Sequence, residues 1–518
     1  MSKLTISAMI LGVVVLNLLV RGWSNIEAPV KPEEVRDLFI DVIYSDRLAN
    51  STVAEDSNTA INPTIVRSRL VNIDWDILAK TGDPPESEIV GGDVLLLNLF
   101  EDSSFTANLD HWEARSENNF TWIGHIEGDK GSQVTIVVQD DVMVSNIRVS
   151  GESYQVRYMG EGAHVIREID ERFFPPEGEP ISVDNPSQAI EPFLSTADGE
   201  GAQAADDGST LDVMVVFTPA ARAAAGGTAA MNALINLAVA ETNTAFSNSG
   251  ITPRLRLVQT EEVNYTESGD SRTDLIRLKD TADGFMDNVH TVRDIHGADM
   301  VSLFVEHFAL ELNICGRGFL MTVLSNAFES SAFSVVRQDC ATGNFFFGHE
   351  LGHNMGLQHE RADQPLDGVF SYSHGYVDIP NNFSTVMGFS CKACRQIQYF
   401  SNPAVSFEGN PTGVDFQAAN SADAARSLNN TAFTVSNWRQ VTFTDLVIEG
   451  LGLSPSSVAP GGSITVSYNV ANRDTKTVTE NYTERVYLST NNTLDGADVL
   501  LGTSHLHTAD LPLNATNA

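Results

Sequence analysis

The sequence predicts a multi-domain chain: a central α/β (α+β) unit with a twisted mixed sheet, a β-rich unit before it and a β-sandwich after it. Three observations predict this. The chain has 518 residues, too many for one hydrophobic core. Residues from Gln133 to Tyr158 alternate apolar with polar in short runs separated by Asp-Asp or Gly turns, the period of half-buried antiparallel strands. From Leu211 onward, apolar runs alternate with segments of helical spacing, which is the pattern of strands joined by helices in a mostly parallel sheet.

Composition narrows the classes. There are 68 acidic against 31 basic side chains, a formal charge of −37, and 42% of residues are hydrophobic. That apolar content suits a globular chain rather than a disordered one. The negative excess, with no cluster of Lys and Arg, argues against nucleic acid or an anionic membrane as partner.

In chain order, residues 1–24 hold one Lys, an apolar run from Leu4 to Val20 and small residues after it, the layout of a secretory signal peptide. No later run is long enough to span a membrane, so a secreted, extracellular product is expected. Residues 25–175 are expected as the β-rich unit. Residues 176–208 are rich in Pro, Gly, Ser and Ala, and the eight acidic residues from Glu177 to Asp207 have no basic companion. Such a stretch buries too little to order itself, so it is expected as a linker. Residues 209–440 begin with the strand Leu211–Phe217. A helix is expected around Met231 to Phe246 with Gly250 as its stop, then a strand at Arg254–Val258. A second helical stretch over about 271–295 and strands at 300–305, 319–323 and 333–336 complete the unit. Residues 443–518 carry short alternating strands at Asp445–Leu451, Thr465–Val470 and Glu484–Ser489, which predict a β-sandwich shorter than usual.

One stretch carries the chemistry: Phe347-Gly-His349-Glu350-Leu-Gly-His353-Asn-Met-Gly356-Leu-Gln-His359. On a helix, residues four apart share a face, so His349 and His353 can aim two imidazoles at one point. Gly356 can adopt a left-handed conformation that ends the helix and swings His359 in as third ligand. Three nitrogens and an open position suit one catalytic Zn²⁺, and Glu350 can take the proton of a water held there. Five fixed positions in eleven residues arise by chance at a rate on the order of 10⁻⁵ at this composition.

The pattern His-Glu-x-x-His-x-x-Gly-x-x-His resembles the signature of the metzincin zinc endopeptidases. That resemblance implies peptide-bond hydrolysis, protein or peptide substrates laid along an edge strand (about 316–323), and a methionine turn below the metal. Ser384-Thr-Val-Met387-Gly-Phe389 is similar to that turn, and Phe389 stands where some branches place a tyrosine ligand. Leu211–Ala220, Cys315-Gly and Phe333–Val336 resemble the reprolysin or adamalysin-like branch over about 211–440. Related proteases often stay inactive through a propeptide cysteine on the zinc. No cysteine precedes Cys315, so inhibition by residues 25–208, which weakly resemble a propeptide, would need steric blockage or a carboxylate. Glu360, beside the third histidine, either orients a ligand or is a solvated carboxylate.

Cys391-Lys-Ala-Cys394 looks like half a zinc ribbon or a redox pair, but Cys315 and Cys340 are too far apart in sequence to complete a ribbon. In an exported chain the four cysteines are expected as disulfides. Three pairings are open, and Cys315–Cys340 with Cys391–Cys394 is favoured. The C-terminal strands resemble the adhesion-related (CARDB-like, Ig-like) sandwich, which implies a module binding a cell surface or matrix. The competing reading of the whole is a surface-binding protein whose zinc site is structural or inactive.

Overall fold

The computed structural model describes residues 36–42, 62–81, 94–116, 119–183, 206–311, 314–391 and 393–439, together with short strands near both ends. Of the expected signal segment, only Ile6–Met9 and Val13–Asn17 are described. They form an antiparallel pair beside Tyr482–Ser489. The acidic stretch 184–205 lies outside the described residues.

Nine strands form the N-terminal sheet. They are β1 (Phe39–Asp41), β2 (Ile65–Ile73), β3 (Val94–Phe100), β4 (Ser103–Ser116), β5 (Asn119–Ile126), β6 (Gln133–Gln139), β7 (Val142–Val149), β8 (Glu152–Gly160) and β9 (Ala163–Ile169). All neighbours are antiparallel, in the order β1-β2-β9-β8-β7-β6-β5-β4-β3. Three successive hairpins turn on Asp140-Asp141, Ser150-Gly151 and Glu161-Gly162, with every turn residue at positive φ. Two-residue turns of that kind match the right-handed twist of the strands they join. The two ends of the sheet meet. Leu38 N–H donates to Leu96 O at 3.1 Å, and the Asn98 amide bonds both N and O of Phe39. The closed barrel fills with Leu95, Leu97, Trp122, Ile136, Met143 and Tyr154. The sheet is larger than the alternation around residues 133–158 suggests, because β4 mixes Ala, Asn, Asp and Glu among few apolar residues and offers little period-2 signal.

After Ile181–Ser182 (β10) the central unit adds β11 (Thr210–Phe217), β12 (Arg254–Glu262), β13 (Met300–Val305), β14 (Gly316–Leu320) and β15 (Phe333–Arg337). The order is β10-β14-β15-β13-β11-β12, parallel throughout except between β14 and β15. This is the expected mixed sheet. After β11 come a short helix, Pro219–Ala225, and then the expected helix, Thr228–Asn248, which buries Met231, Leu234, Ile235, Ala238 and Phe246. The helix expected over about 271–295 is instead two, Ser271–Lys279 and Asn288–His296. The Asp280 and Asp283 side chains accept from backbone N–H groups two residues on, and Gly284 takes φ +86°, so this segment turns rather than continuing a helix.

The barrel packs on the helix Thr228–Asn248 through Val137, Val142 and Val144 against Ala230, Ala233 and Leu237. Below this apolar contact, the buried Glu241 carboxylate accepts from the Asn146 amide at 2.5 Å and from Gly343 N at 2.9 Å. Arg157 donates to Asn146 Oδ1 and Thr342 Oγ1, and burial pulls its pKa down to about 9. Near the C-terminus, Leu446–Ser454 pairs with Thr465–Asn472, and Tyr482–Ser489 with Val499–His507. Among the described residues, no single helix is long and apolar enough to cross a membrane.

A buried carboxyl at the domain's end gives a pH prediction. Asp299 accepts from Asp212 N at 2.8 Å and Arg439 N at 3.2 Å, and burial raises its pKa to about 8. An acid whose folded pKa lies above its unfolded value of ~3.9 contributes most below that value and loses its contribution as pH rises through the folded value. Urea midpoints should therefore fall between about pH 4 and about pH 8. Asp299→Asn should flatten that slope, and an unchanged slope would remove Asp299 as its source.

Candidate metal centre

The helix that carries the motif, Phe346–Asn354, is buried along its whole length. Its small residues are required by its neighbours. A Cβ on Gly348 would lie 2.8 Å from Thr242 Oγ1, and one on Gly352 would lie 2.8 Å from Met387 Sδ. The helix ends where expected. Leu357 N returns to Gly352 O at 2.8 Å, and Gly356 takes φ +93°. A side chain at Gly356 would also sit 2.6 Å from Val369. Gly356→Ala is therefore expected to cost about 1–3 kcal/mol. It should also weaken metal binding by about tenfold or more by displacing His359. A chelator competition titration checks this, and wild-type affinity in the alanine chain would show that the turn does not place His359.

His349, His353 and His359 come together. Their Nε2 atoms lie 3.1 Å (His349 to His353) and 3.2 Å (His359 to His353) apart. Each ring is held by its other nitrogen. Nδ1 of His349 faces Val386 O at 2.7 Å, Nδ1 of His353 faces Leu357 O at 2.8 Å, and Nδ1 of His359 faces Asp363 Oδ2 at 3.0 Å. Carbonyl and carboxylate oxygens only accept, so each Nδ1 carries the proton and each Nε2 presents a bare lone pair. Three converging lone pairs repel unless a cation sits among them. Ligands about 2.0–2.1 Å from a tetrahedral ion stand about 3.3–3.4 Å apart, close to the spacing seen. The donor set therefore fits a divalent metal ion. Burial holds the His353 pKa at about 4, which keeps that imidazole neutral.

Glu350 lies beside this point, fully buried, and neither carboxylate oxygen has a hydrogen-bond partner among the described residues. Burial and then the Glu177 carboxylate push its pKa well above the usual carboxylate range. Strand β14 passes directly against it: a Cβ on Gly316 would fall 2.6 Å from Glu350 Oε1. Met387 packs under the helix, and Val386 beside it supplies the carbonyl that fixes His349. Phe389 packs edge-on against His349 and tilted against His359, with ring centroids 4.8 and 5.8 Å away, and brings no hydroxyl to the centre.

Cys315 is bonded to Cys340, and Cys391 to Cys394. The first bridge ties the start of β14 to the loop before the motif helix. The second closes the loop after Met387. Glu360 takes neither role expected of it. It is buried, and its carboxylate accepts from Phe389 N at 2.9 Å and Ser390 N at 2.7 Å, which fixes the segment following Met387.

Two participants escape sequence reasoning. Asp363, four residues after His359, orients that ring; a carboxylate at this spacing from a ligand was a usable signal. Glu177, placed in the linker by composition, has its carboxylate on the three histidines: on His349 and His359 directly, and 3.3 Å from His353 Nε2. Together the four form a group that could hold a metal ion. Residues 176–183 of the expected linker are ordered because their backbone pairs with β14, a contribution that composition does not register.

Comparison with known proteins places the chain among metallopeptidases. Residues 208–445 match the family described as metallo-peptidase family M12B, reprolysin-like, and residues 87–172 match the BamI lipocalin-like domain. A peptidyl-Asp metalloendopeptidase of Stenotrophomonas maltophilia (strain R551-3) is 36% identical over 322 residues, covering 60% of this chain and 72% of that protein. One from Xanthomonas campestris pv. campestris is 31% identical over 396 residues, covering 73% of this chain and 87% of its own length. Among solved structures, metalloproteinase-II from Bacteroides fragilis is similar at 11% identity, covering 67% of this chain and 91% of that one, with a TM-score of 0.34, too low to argue from. Together, the family match over residues 208–445 and relatives above 30% identity replace the surface-binding reading. The chain belongs to the reprolysin-like M12B metallopeptidases and is a metalloendopeptidase.

Proposed function

We propose that the chain is a zinc-dependent endopeptidase, exported and made as a precursor, that cuts proteins or peptides at aspartyl residues. The observation that carries the reading is the set of three Nε2 lone pairs, each fixed from behind by an acceptor on its Nδ1, next to an unpartnered buried carboxylate. His349, His353 and His359 would hold the zinc. When bound there, zinc lowers the pKa of a water toward ~7 and polarises the scissile carbonyl. Glu350 accepts the water's proton and delivers it to the leaving nitrogen. With the preceding segment removed, β14 would offer backbone groups along which an extended substrate can lie, and Gly316 and Gly318 leave room for Glu350 beside it. Met387, through the adjoining Val386 carbonyl, holds the first ligand in place.

The aspartyl preference rests on the relatives' activity as peptidyl-Asp metalloendopeptidases. Export is supported by the apolar N-terminal run and by two disulfides, which persist in oxidising compartments. The strands after Leu446 would form the Ig-like, CARDB-like sandwich that binds a cell surface or matrix. Deleting 443–518 should then reduce surface binding and leave peptide hydrolysis intact; equal binding would discard that role.

The test of the main reading uses processed enzyme on matched peptides carrying Asp or Asn at one position, with and without a chelator. Cleavage next to Asp, lost with the chelator and restored by Zn²⁺, is expected. Cleavage that persists in chelator would discard the metal mechanism, and equal cutting of both peptides would discard the aspartyl preference.

A further inference from the structure

Residues 174–183 cross the mouth of the metal centre as a strap. Pro176 O accepts from Cys315 N at 2.8 Å, Gly178 N donates to Gly316 O at 2.8 Å, and Ile181–Ser182 run parallel beside Phe319–Leu320. The strap thus covers the edge of β14 that an extended substrate would need. Arg317 closes over it, donating to Glu179 O, and a Cβ on Gly178 would fall 2.5 Å from the Arg317 Nη2. The Gln364 amide donates to the Glu179 carboxylate at 2.9 Å.

Between the anchored residues Pro176 and Gly178, the Glu177 side chain has one direction left to it, inward. Its carboxylate reaches all three histidine Nε2 atoms, and the side chain is 4% exposed. Burying a carboxylate against imidazole nitrogens strips its hydration, a loss that a cation held between them would offset. With a divalent cation held by those imidazoles, the carboxylate would supply a fourth donor. A tetrahedral zinc with four protein ligands is a closed site, whereas a catalytic one keeps a position for water.

We propose that Glu177 is the fourth ligand of the metal in the unprocessed chain, and that it keeps the protein latent by occupying the position where Glu350 would activate water. This rests on the metal-centre reading above and names the carboxylate that a precursor without a propeptide cysteine requires. The strap contributes twice: its backbone fills the substrate edge and its side chain fills the metal. No covalent bond of the chain is made or broken in the latch; displacing the strap would exchange the Glu177 carboxylate on the metal for water and so open the site.

The test uses the full chain carrying Glu350→Gln, so that no self-cleavage intervenes, loaded with Co²⁺. The readouts are the visible absorption of the metal and its response to acetohydroxamate, a small bidentate metal ligand. With Glu177 present, the spectrum should resist acetohydroxamate, because an intramolecular ligand competes at a high effective concentration. Adding Glu177→Ala should change the spectrum and tighten acetohydroxamate binding at least ~10-fold. Glu177→Gln, which keeps the side-chain volume and so the strap's packing, should shift both in the same direction and serves if the alanine chain fails to fold. Identical spectra and equal acetohydroxamate affinity with and without the Glu177 carboxylate would overturn the latch while leaving the metal centre standing. Failure of every one of these chains to bind cobalt would overturn the metal-centre reading and the latch with it.

Discussion

Glu350→Gln in the processed enzyme is expected to lower kcat by about a thousandfold, within the ~10²–10⁴ range for loss of a positioned general acid and base. Metal content should stay at one ion per chain. The split between the two readouts follows from the geometry. The metal would be held by His349, His353 and His359, whose orientations are set by Val386 O, Leu357 O and the Asp363 carboxylate. None of these contacts passes through Glu350. The glutamine keeps the shape against Gly316 and Gly318 but cannot take a proton, so KM should change far less than kcat. Metal analysis alongside steady-state kinetics on an Asp-containing peptide decides it. A variant retaining more than about a tenth of wild-type kcat would mean another group carries the proton.

Opening the bridge between Cys315 and Cys340, by Ser at both positions, is expected to lower stability by about 3–4 kcal/mol on the loop-entropy estimate for its span. Activity should fall as well, for a reason separate from global stability. Both half-cystines are buried, and Cys315 N and O each anchor a neighbouring chain, binding Pro176 O and Arg337 N. Arg337 N and Gln338 N in turn fix the end of β15, from which the chain climbs into the motif helix. Loosening this corner lets β14 move relative to Glu350. Urea unfolding with and without reductant measures the first effect. Equal midpoints for the double-serine chain and the oxidised wild type would show that packing alone holds the corner. The short bridge between Cys391 and Cys394 encloses only two residues and should contribute much less.

Much of the site is legible in the sequence because its geometry is local. His349 and His353 are one turn apart, Glu350 follows the first ligand, and Gly356 is needed for a turn that the structure shows at φ +93°. Local periodicity likewise predicts β11, the helix Thr228–Asn248, β13 and β15, whereas the strand expected at 319–323 is found three residues earlier, as β14. What escapes is non-local. Glu177 lies in a Pro-Pro-Glu-Gly-Glu-Pro stretch with the composition of a linker, and only pairing with a strand far along the chain orders it. Glu360 reads as a surface carboxylate until Phe389 N and Ser390 N are brought to it. The closed barrel escapes for a similar reason: Asn98 and Phe39 join its two ends across more than fifty residues. The single helix expected over 271–295 fails at a local level, where aspartate side chains compete for backbone N–H groups.

The Arg148 side chain has a consequence for any catalytic unit parted from its barrel. From β7 its guanidinium donates to two carbonyls of the central unit, Gly343 O ahead of the motif helix and Gln396 O beyond the Cys391–Cys394 loop. One cation thus acts as an external brace between two rims that the enzyme must otherwise keep in register by itself. Once that brace departs, the spacing of the rims depends on Glu360's grip on residues 389 and 390 and on the Gln398 amide bonded to Glu241 O. A protease assembled in the grip of its own barrel would be expected to recover activity after denaturation more slowly when refolded without it.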